Sequence, residues 1–139
     1  MSRRLQRSML ALLSGIALVG LLSFAGCSSS EHSLRKAGQI QHVVMCWLKE
    51  PGNEEGRKKV IEASFGLRSI PGVVDVHAGP PLPSERPVVD DSFDVGVVIV
   101  LEDQTALSRY LGHPTHKAAV AEVLGPLSER ILIYDIVEE

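Results

Sequence analysis

The segment over residues 93–102 constrains the fold most, because the strand that it predicts is apolar on both faces. β-Branched residues dominate it, and successive residues of a strand point to opposite sides. One face carries Val95, Val97, Ile99 and Leu101, and the other carries Gly96, Val98 and Val100. A sheet with helices on one face and water on the other alternates more cleanly. The segment therefore predicts a sheet that is covered on both faces.

The order of the other segments predicts the architecture. Strands are predicted over 40–49, 73–79, 93–102 and 128–137, and helical segments over 53–69 and 104–124. Asn53 and Asp103 are predicted N-caps, the second helical segment is interrupted at 112–114, and Gly125-Pro126 is predicted to end it. The β-α-β-β-α-β order predicts an α+β fold, a ferredoxin-like sandwich with an antiparallel sheet.

A second copy of the chain would cover the remaining face of this sheet. The strand predicted over 128–137 is also apolar on both faces. Burial of such a face contributes about 25 cal/mol per Å² of apolar area. We therefore expect a symmetric homodimer in which two sheets form a closed or nearly closed α/β barrel.

Composition excludes several classes of protein. The chain is 45% hydrophobic and 22% charged, which is unlike an intrinsically disordered protein, and two cysteines are too few for a disulfide-stabilised miniprotein. Three of the 14 basic residues lie in the first eight positions, so the rest of the chain has a net charge of about −6 near neutral pH. Arg57-Lys58-Lys59 is the only basic run, and it is typical of the solvated face of a helix, so we expect no nucleic-acid binding.

The first 26 residues have the layout of a secretory signal. Residues 1–8 carry three Arg and no acidic residue, and residues 9–24 are apolar. This run is shorter than the roughly 20 apolar residues that span a bilayer. The order Phe24-Ala25-Gly26-Cys27 resembles the lipobox of bacterial lipoproteins, with Phe24 where Leu is usual. Ordinary signal cleavage and a retained anchor are the alternatives.

The lipobox resemblance implies a cellular location. A signal peptide over 1–26 would be removed, Cys27 would carry the lipid, and residues 27–38 would form a lipidated N-terminus and flexible tether before a domain over 39–139. The protein would then be extracytoplasmic and lipid-anchored in a bacterial cell envelope. Because Ser28 follows Cys27, the resemblance implies the outer membrane, facing the periplasm, in double-membrane bacteria.

Four short motifs within this domain resemble the stress-responsive dimeric α/β-barrel (Dabb) family. They are Ile40-Gln41-His42-Val43-Val44, Ile70-Pro71-Gly72-Val73, Phe93-Asp94 and Tyr110-Leu111-Gly112-His113-Pro114-Thr115-His116. The last is similar to the family's Tyr-x-x-His-Pro-x-His signature. The resemblance implies a dimeric barrel with a pocket in each subunit between sheet and helices. It implies no single activity, although some plant members are similar to polyketide cyclases.

Two residues of this signature, Tyr110 and His116, have side chains suited to acid/base chemistry. Pro114 begins a helix, so His116 lies in its first turn, where the partial positive charge of the helix end favours the neutral imidazole. A neutral imidazole can act as a general base, and the Tyr110 phenol can donate a hydrogen bond to a carbonyl. In cyclase-like members the residues matching Tyr110 and His116 are assigned to catalysis, and His42 would point into the same cavity as a ligand-binding residue. His113 is a second candidate for ligand binding; alternatively, it only stabilises the corner between two helices.

Neither a metal nor another cofactor is expected. His42, His77, His113 and His116 could be considered as metal ligands, but no acidic or cysteine ligand accompanies them. Cys46 lies within an apolar run and is predicted to be a small core residue.

Three functions remain open on this basis. The first is a membrane-anchored module that holds a small apolar molecule in the pocket. The second is a cofactor-free enzyme, similar to a cyclase or an isomerase, that uses Tyr110 and His116 for general acid/base chemistry. The third is a structural envelope dimer without a ligand.

Overall fold

Strands and helices follow one another in the predicted order. The computed structural model describes residues 36–139. Its elements are β1 (Ile40–Leu48), α1 (Glu54–Gly66), β2 (Val73–Gly79), β3 (Val95–Leu101), α2 (Gln104–Gly112), α3 (Pro114–Ala119), α4 (Gly125–Leu127) and β4 (Ser128–Val137). A 3₁₀ turn over Leu67–Ser69 follows α1, and a π-helical turn over Val120–Leu124 joins α3 to α4. None of the helices within residues 36–139 is long and apolar enough to span a bilayer.

The four strands form one antiparallel sheet in the order β2-β3-β1-β4. In β1 and β3, buried residues alternate with half-buried ones. The buried side chains of both strands belong to a core that also includes Val60 of α1 and Ala106 of α2, so the helices cover this face. The arrangement confirms the predicted ferredoxin-like α+β fold.

Side-chain caps set where the main helices begin. The Asn53 side chain accepts a hydrogen bond from the Gly56 amide at 2.9 Å, and the Asp103 side chain accepts one from the Ala106 amide at 2.7 Å. Each cap satisfies a backbone donor that has no partner within its helix. Both predicted N-caps are confirmed.

β3 begins two residues later than predicted, because Asp94 has another role. Its carboxylate accepts hydrogen bonds from the amides of Leu48 at 2.8 Å and Gly52 at 2.9 Å. Its own amide donates to the Cys46 carbonyl at 2.9 Å. Asp94 therefore ties the start of β3 to the turn that follows β1.

The second helical segment runs beyond the predicted stop at Gly125-Pro126. The Gly125 amide donates to the Val120 carbonyl, five residues earlier, and this bond closes the π-helical turn. Helical structure continues to Leu127 as α4. Lys49 then holds the helix end: its ammonium donates to the Pro126 carbonyl at 2.7 Å and its amide to the Leu127 carbonyl at 2.9 Å.

Cys46 lies at the centre of the core. It is fully buried, with an exposed fraction of 0%, and forms no disulfide. Burial raises the pKa of its thiol, and the nearby Ser128 side chain opposes that shift. The prediction of a core cysteine is confirmed.

The face of the sheet opposite the helices, here called the open face, is largely apolar. Val43 of β1 faces Val98 of β3 on one side and Tyr134 of β4 on the other. Val43 and Val98 are half-buried, whereas Tyr134 and Ile136 remain 52% and 51% exposed. The two-sided apolar pattern predicted for the sheet is therefore present in the structure.

Candidate functional site

A cavity of about 210 Å³ lies between the sheet and the helices. Most of its lining is aliphatic: Val44, Leu67, Val97, Ile99, Leu111, Ala119, Val120, Leu124, Ile131 and Ile133. His42, Ser64, Tyr110 and His116 are the polar residues of the lining. An apolar cavity of about 150 Å³ can hold a molecule the size of benzene. The space therefore suits a small, mainly apolar molecule.

Tyr110 and His116 meet inside this cavity because the chain turns sharply between α2 and α3. Tyr110 lies in the last turn of α2, and Pro114 opens α3 so that His116 follows in its first turn. The ring centroids of Tyr110 and His116 are 4.5 Å apart. Burial raises the pKa of the Tyr110 phenol, so it remains a hydrogen-bond donor at neutral pH.

His116 is kept neutral mainly by burial. Burial lowers its pKa, the nearby His42 and Lys117 lower it further, and a hydrogen bond with the Leu111 backbone opposes the shift. Its Nδ1 atom is buried and has no hydrogen-bond partner among residues 36–139. The imidazole can therefore accept a proton or a hydrogen bond from a molecule in the cavity.

His42 reaches the same cavity from β1 and is oriented by Asp135 of β4. The two residues face each other across the strands, and His42 Nδ1 lies 2.6 Å from Asp135 Oδ1. Because a carboxylate only accepts hydrogen bonds, Nδ1 carries the proton when the imidazole is neutral, which leaves Nε2 as an acceptor. The His42 ring also packs edge-on against Tyr110, with centroids 5.6 Å apart.

Asp135 was not among the residues singled out from the sequence. It lies 93 residues after His42, and its position depends on the register of β4 against β1. The alternation of residues in a predicted strand assigns Asp135 to one face, but the pairing of the two strands is needed to place it beside His42.

His113 lies outside the cavity lining and has a structural contact. Its Nδ1 atom accepts a hydrogen bond from the Thr115 amide at 3.2 Å and so caps α3. His77 lies on β2, where its ring is within 3.4 Å of Asp75. The structure thus brings together His42, Tyr110 and His116, whereas His113 and His77 lie elsewhere. In the part of the chain that the structure describes, no three His, Cys, Asp or Glu side chains form a metal-binding group.

The predicted lipidation site, Cys27, lies outside the described residues, as do the predicted signal peptide and most of the tether. These assignments stay predictions.

The site combines three features in one apolar space: a protonated phenol, a neutral imidazole with an unpaired nitrogen, and a second imidazole held by a carboxylate. This set can bind an oxygen-containing group of an otherwise apolar molecule. It can also move a proton between two nearby atoms of such a molecule.

Comparisons with known proteins agree with the fold. The family model of the stress responsive A/B barrel domain (Dabb) matches residues 40–138. A search of curated proteins gives no match. Among solved structures, the chain is similar to a Dabb family protein with a ferredoxin-like fold from Mesorhizobium loti, with 30% identity, a TM-score of 0.60, and coverage of 73% of this chain and 98% of that one.

Two more distant structures share the fold. A dimeric ferredoxin-like protein of unknown function from Thermobifida fusca is 21% identical, with a TM-score of 0.60 and coverage of 73% of this chain and 92% of that one. Hydroxynitrile lyase from Passiflora edulis is 15% identical, with a TM-score of 0.64 and coverage of 75% and 96%. Because the family model spans every strand and helix described above, this chain belongs to the stress responsive A/B barrel domain family.

Proposed function

We propose that this protein is a membrane-anchored, extracytoplasmic Dabb dimer that binds a small apolar molecule in the cavity between its sheet and helices. The observation that carries the proposal is the lining of that cavity. Aliphatic side chains form most of its wall, and Tyr110, His116 and His42 supply polar atoms in one place. Ligand pockets commonly combine a largely apolar wall with a few convergent polar groups.

The open face of the sheet supports the dimer. The similar protein from Thermobifida fusca is dimeric. In this chain the open face is apolar in both central strands, and Tyr134 and Ile136 extend it onto β4 with about half of their surface exposed. A second copy packed on this face would remove these side chains from water, at about 25 cal/mol per Å² of apolar area.

The membrane anchor rests on the lipobox motif at Phe24-Ala25-Gly26-Cys27. Mass spectrometry of the membrane-extracted protein should find an acylated N-terminal Cys27. The Cys27→Ser variant should leave the membrane fraction, while Ser28→Ala should stay in it. An unmodified chain that starts at another residue would refute the lipoprotein assignment.

A matched pair of variants on α3 tests ligand binding. Ala119 lines the cavity, whereas its neighbour Ala118 is exposed and does not. We expect titration calorimetry to detect 1-octanol binding to the full chain and to the Ala118→Phe variant. Ala119→Phe should abolish binding, because the larger ring fills the cavity.

Two results would count against ligand binding. If the unsubstituted chain takes up no alcohol and native mass spectrometry finds no retained small molecule, the structural envelope dimer becomes the better account. If Ala119→Phe binds as well as Ala118→Phe, the ligand site lies elsewhere.

A second candidate is an enzyme that acts on a small carbonyl compound by aldol-type cyclisation or isomerisation. It is favoured by the proximity of the neutral His116 imidazole to the Tyr110 phenol, whose ring centroids are 4.5 Å apart. The imidazole can serve as the base and the phenol as the hydrogen-bond donor. A hydroxynitrile lyase has the same fold, although at 15% identity the likeness concerns the fold alone. His116→Ala should then abolish turnover of a carbonyl substrate while the dimer stays folded, and unchanged turnover would exclude this mechanism.

A further inference from the structure

We infer that the π-helical turn over Val120–Leu124 determines which molecules fit the cavity by size. The inference rests on the proposed function, since it concerns the wall of the same cavity. Two residues of the turn, Val120 and Leu124, belong to the cavity lining. They form one side of the space, here called the π wall.

The hydrogen bonding of the turn explains why Leu124, and not Val123, forms this wall with Val120. The bond from the Gly125 amide to the Val120 carbonyl spans five residues instead of the four of an α-helix. The extra residue changes which side chain meets the sheet. Leu124 is buried at 9% exposure, whereas Val123, the position that would continue an α-helical face from Ala119, is half-buried and does not line the cavity.

Contacts at both ends hold this part of the chain in place. At the start, His113 caps α3 and Pro114 occupies its first position. At the end, two hydrogen bonds from Lys49 hold the carbonyls of Pro126 and Leu127. With both ends held, the extra residue is accommodated in the turn between them.

The residues that follow the turn favour its wide form. A Cβ atom at Gly125 would approach the Val120 carbonyl oxygen to 3.0 Å, which is tighter than about nine in ten such contacts. Pro126 has no amide hydrogen to donate, and its ring would clash with the carbonyl of Glu122 in a regular α-helix. The π wall is therefore specified by the sequence around it as well as by its own side chains.

The probes are straight-chain primary alcohols from hexanol to dodecanol, titrated into the full chain by calorimetry. We expect the unsubstituted protein to show a length beyond which affinity falls. Leu124→Ala should move that limit upward by at least one methylene, and each additional buried methylene should lower Kd about fourfold. Val123→Ala is the matched control, because Val123 lies outside the lining, and it should leave the limit unchanged.

This pair distinguishes the π register from an α-helical one, because only Leu124 belongs to the π wall, whereas Val123 would continue an α-helical face from Ala119. If Leu124→Ala does not fold, the smaller truncation Leu124→Val should shift the limit in the same direction. A shift in Val123→Ala without one in Leu124→Ala would overturn the inference, as would an unchanged limit in both.

The outcomes separate this inference from the proposed function. If the unsubstituted protein binds the alcohols and every variant keeps the same limit, the π wall does not select by size, while ligand binding stands. If the unsubstituted protein binds none of the alcohols, both proposals fail.

Discussion

His116 shows how the surroundings of one residue set its chemistry. From the sequence, the partial charge of a helix end is the expected cause of its neutral state, whereas in the structure burial is the main cause. A His pKa that is lower in the folded state than in the unfolded state means that the unfolded chain binds the proton more readily. The contribution of His116 to stability is therefore complete above the ordinary His value of 6.5 and is lost as the pH falls below it towards the lowered pKa.

The lowered pKa of His116 predicts that its replacement changes how stability depends on pH. The free energy of unfolding, measured by urea denaturation, should fall less between neutral pH and about pH 5 in His116→Gln than in the unsubstituted protein. His77→Gln is the control, because His77 is exposed on β2, and it should retain the full fall. Equal falls in both variants would show that His116 does not resist protonation.

At this scale the sequence predicted the cavity residues better than their partners. Tyr110, His116 and His42 line one cavity, as the family resemblance implies. Asp135 could not be predicted as the partner of His42, because their contact depends on the register of two strands far apart in the chain. His113 has a local capping contact that the sequence argument included as an alternative to ligand binding.

At the scale of the elements, the turn before β2 packs closely against α2. Gly72 has a φ of +92°, and a Cβ atom there would lie 2.8 Å from the Cβ atom of Ala106 in α2. Glycine is therefore required both by the backbone conformation and by the packing of α2. This explains physically why glycine occupies that position of the Ile70-Pro71-Gly72-Val73 motif.

Gly72→Ala should lower the free energy of unfolding by about 1–3 kcal/mol, because overpacking and a positive φ both penalise the methyl group. Urea denaturation is the measurement. Gly112→Ala serves as the control, since a Cβ atom at Gly112 meets nothing within 4 Å and its φ is not positive. If Gly72→Ala were as stable as Gly112→Ala, the result would contradict the close packing of this turn on α2.

The bounds of the elements were predictable wherever local chemistry sets them. β2 and β4 have the bounds predicted from alternation, and Asn53 and Asp103 cap the helices as expected. The π-helical turn was not predicted, because Pro126 is locally a signal for the end of a helix. The end of this helical segment also receives hydrogen bonds from Lys49, 77 residues earlier in the chain, and no local pattern encodes them.

For the whole molecule, the two apolar faces of the sheet have different consequences. One face packs against the helices and forms the core and cavity, as the element order predicted. The other face led to the prediction of a dimer from residue alternation alone. Val98 lies near its centre, on one of the two middle strands, opposite Val43.

Val98→Asp should convert the dimer to a monomer, because a carboxylate buried between two sheets would lose its hydration without gaining a partner. Size-exclusion chromatography with light scattering is the measurement. Val88→Asp is the control, since Val88 is 90% exposed in the β2–β3 connection and should leave the dimer intact. A monomeric unsubstituted protein, or a dimeric Val98→Asp variant, would exclude an interface on the open face.

Because Cys46 is buried, the rate at which its thiol is labelled reports on the opening of the domain. A thiol reagent reacts with the thiolate, and this side chain is both fully covered and shifted towards the protonated form. Labelling therefore has to wait until β1 separates from its neighbours in the core. The time course of labelling at Cys46 follows the fluctuations of the central sheet, and while the sheet stays closed this sulfur is shielded from oxidants around the protein.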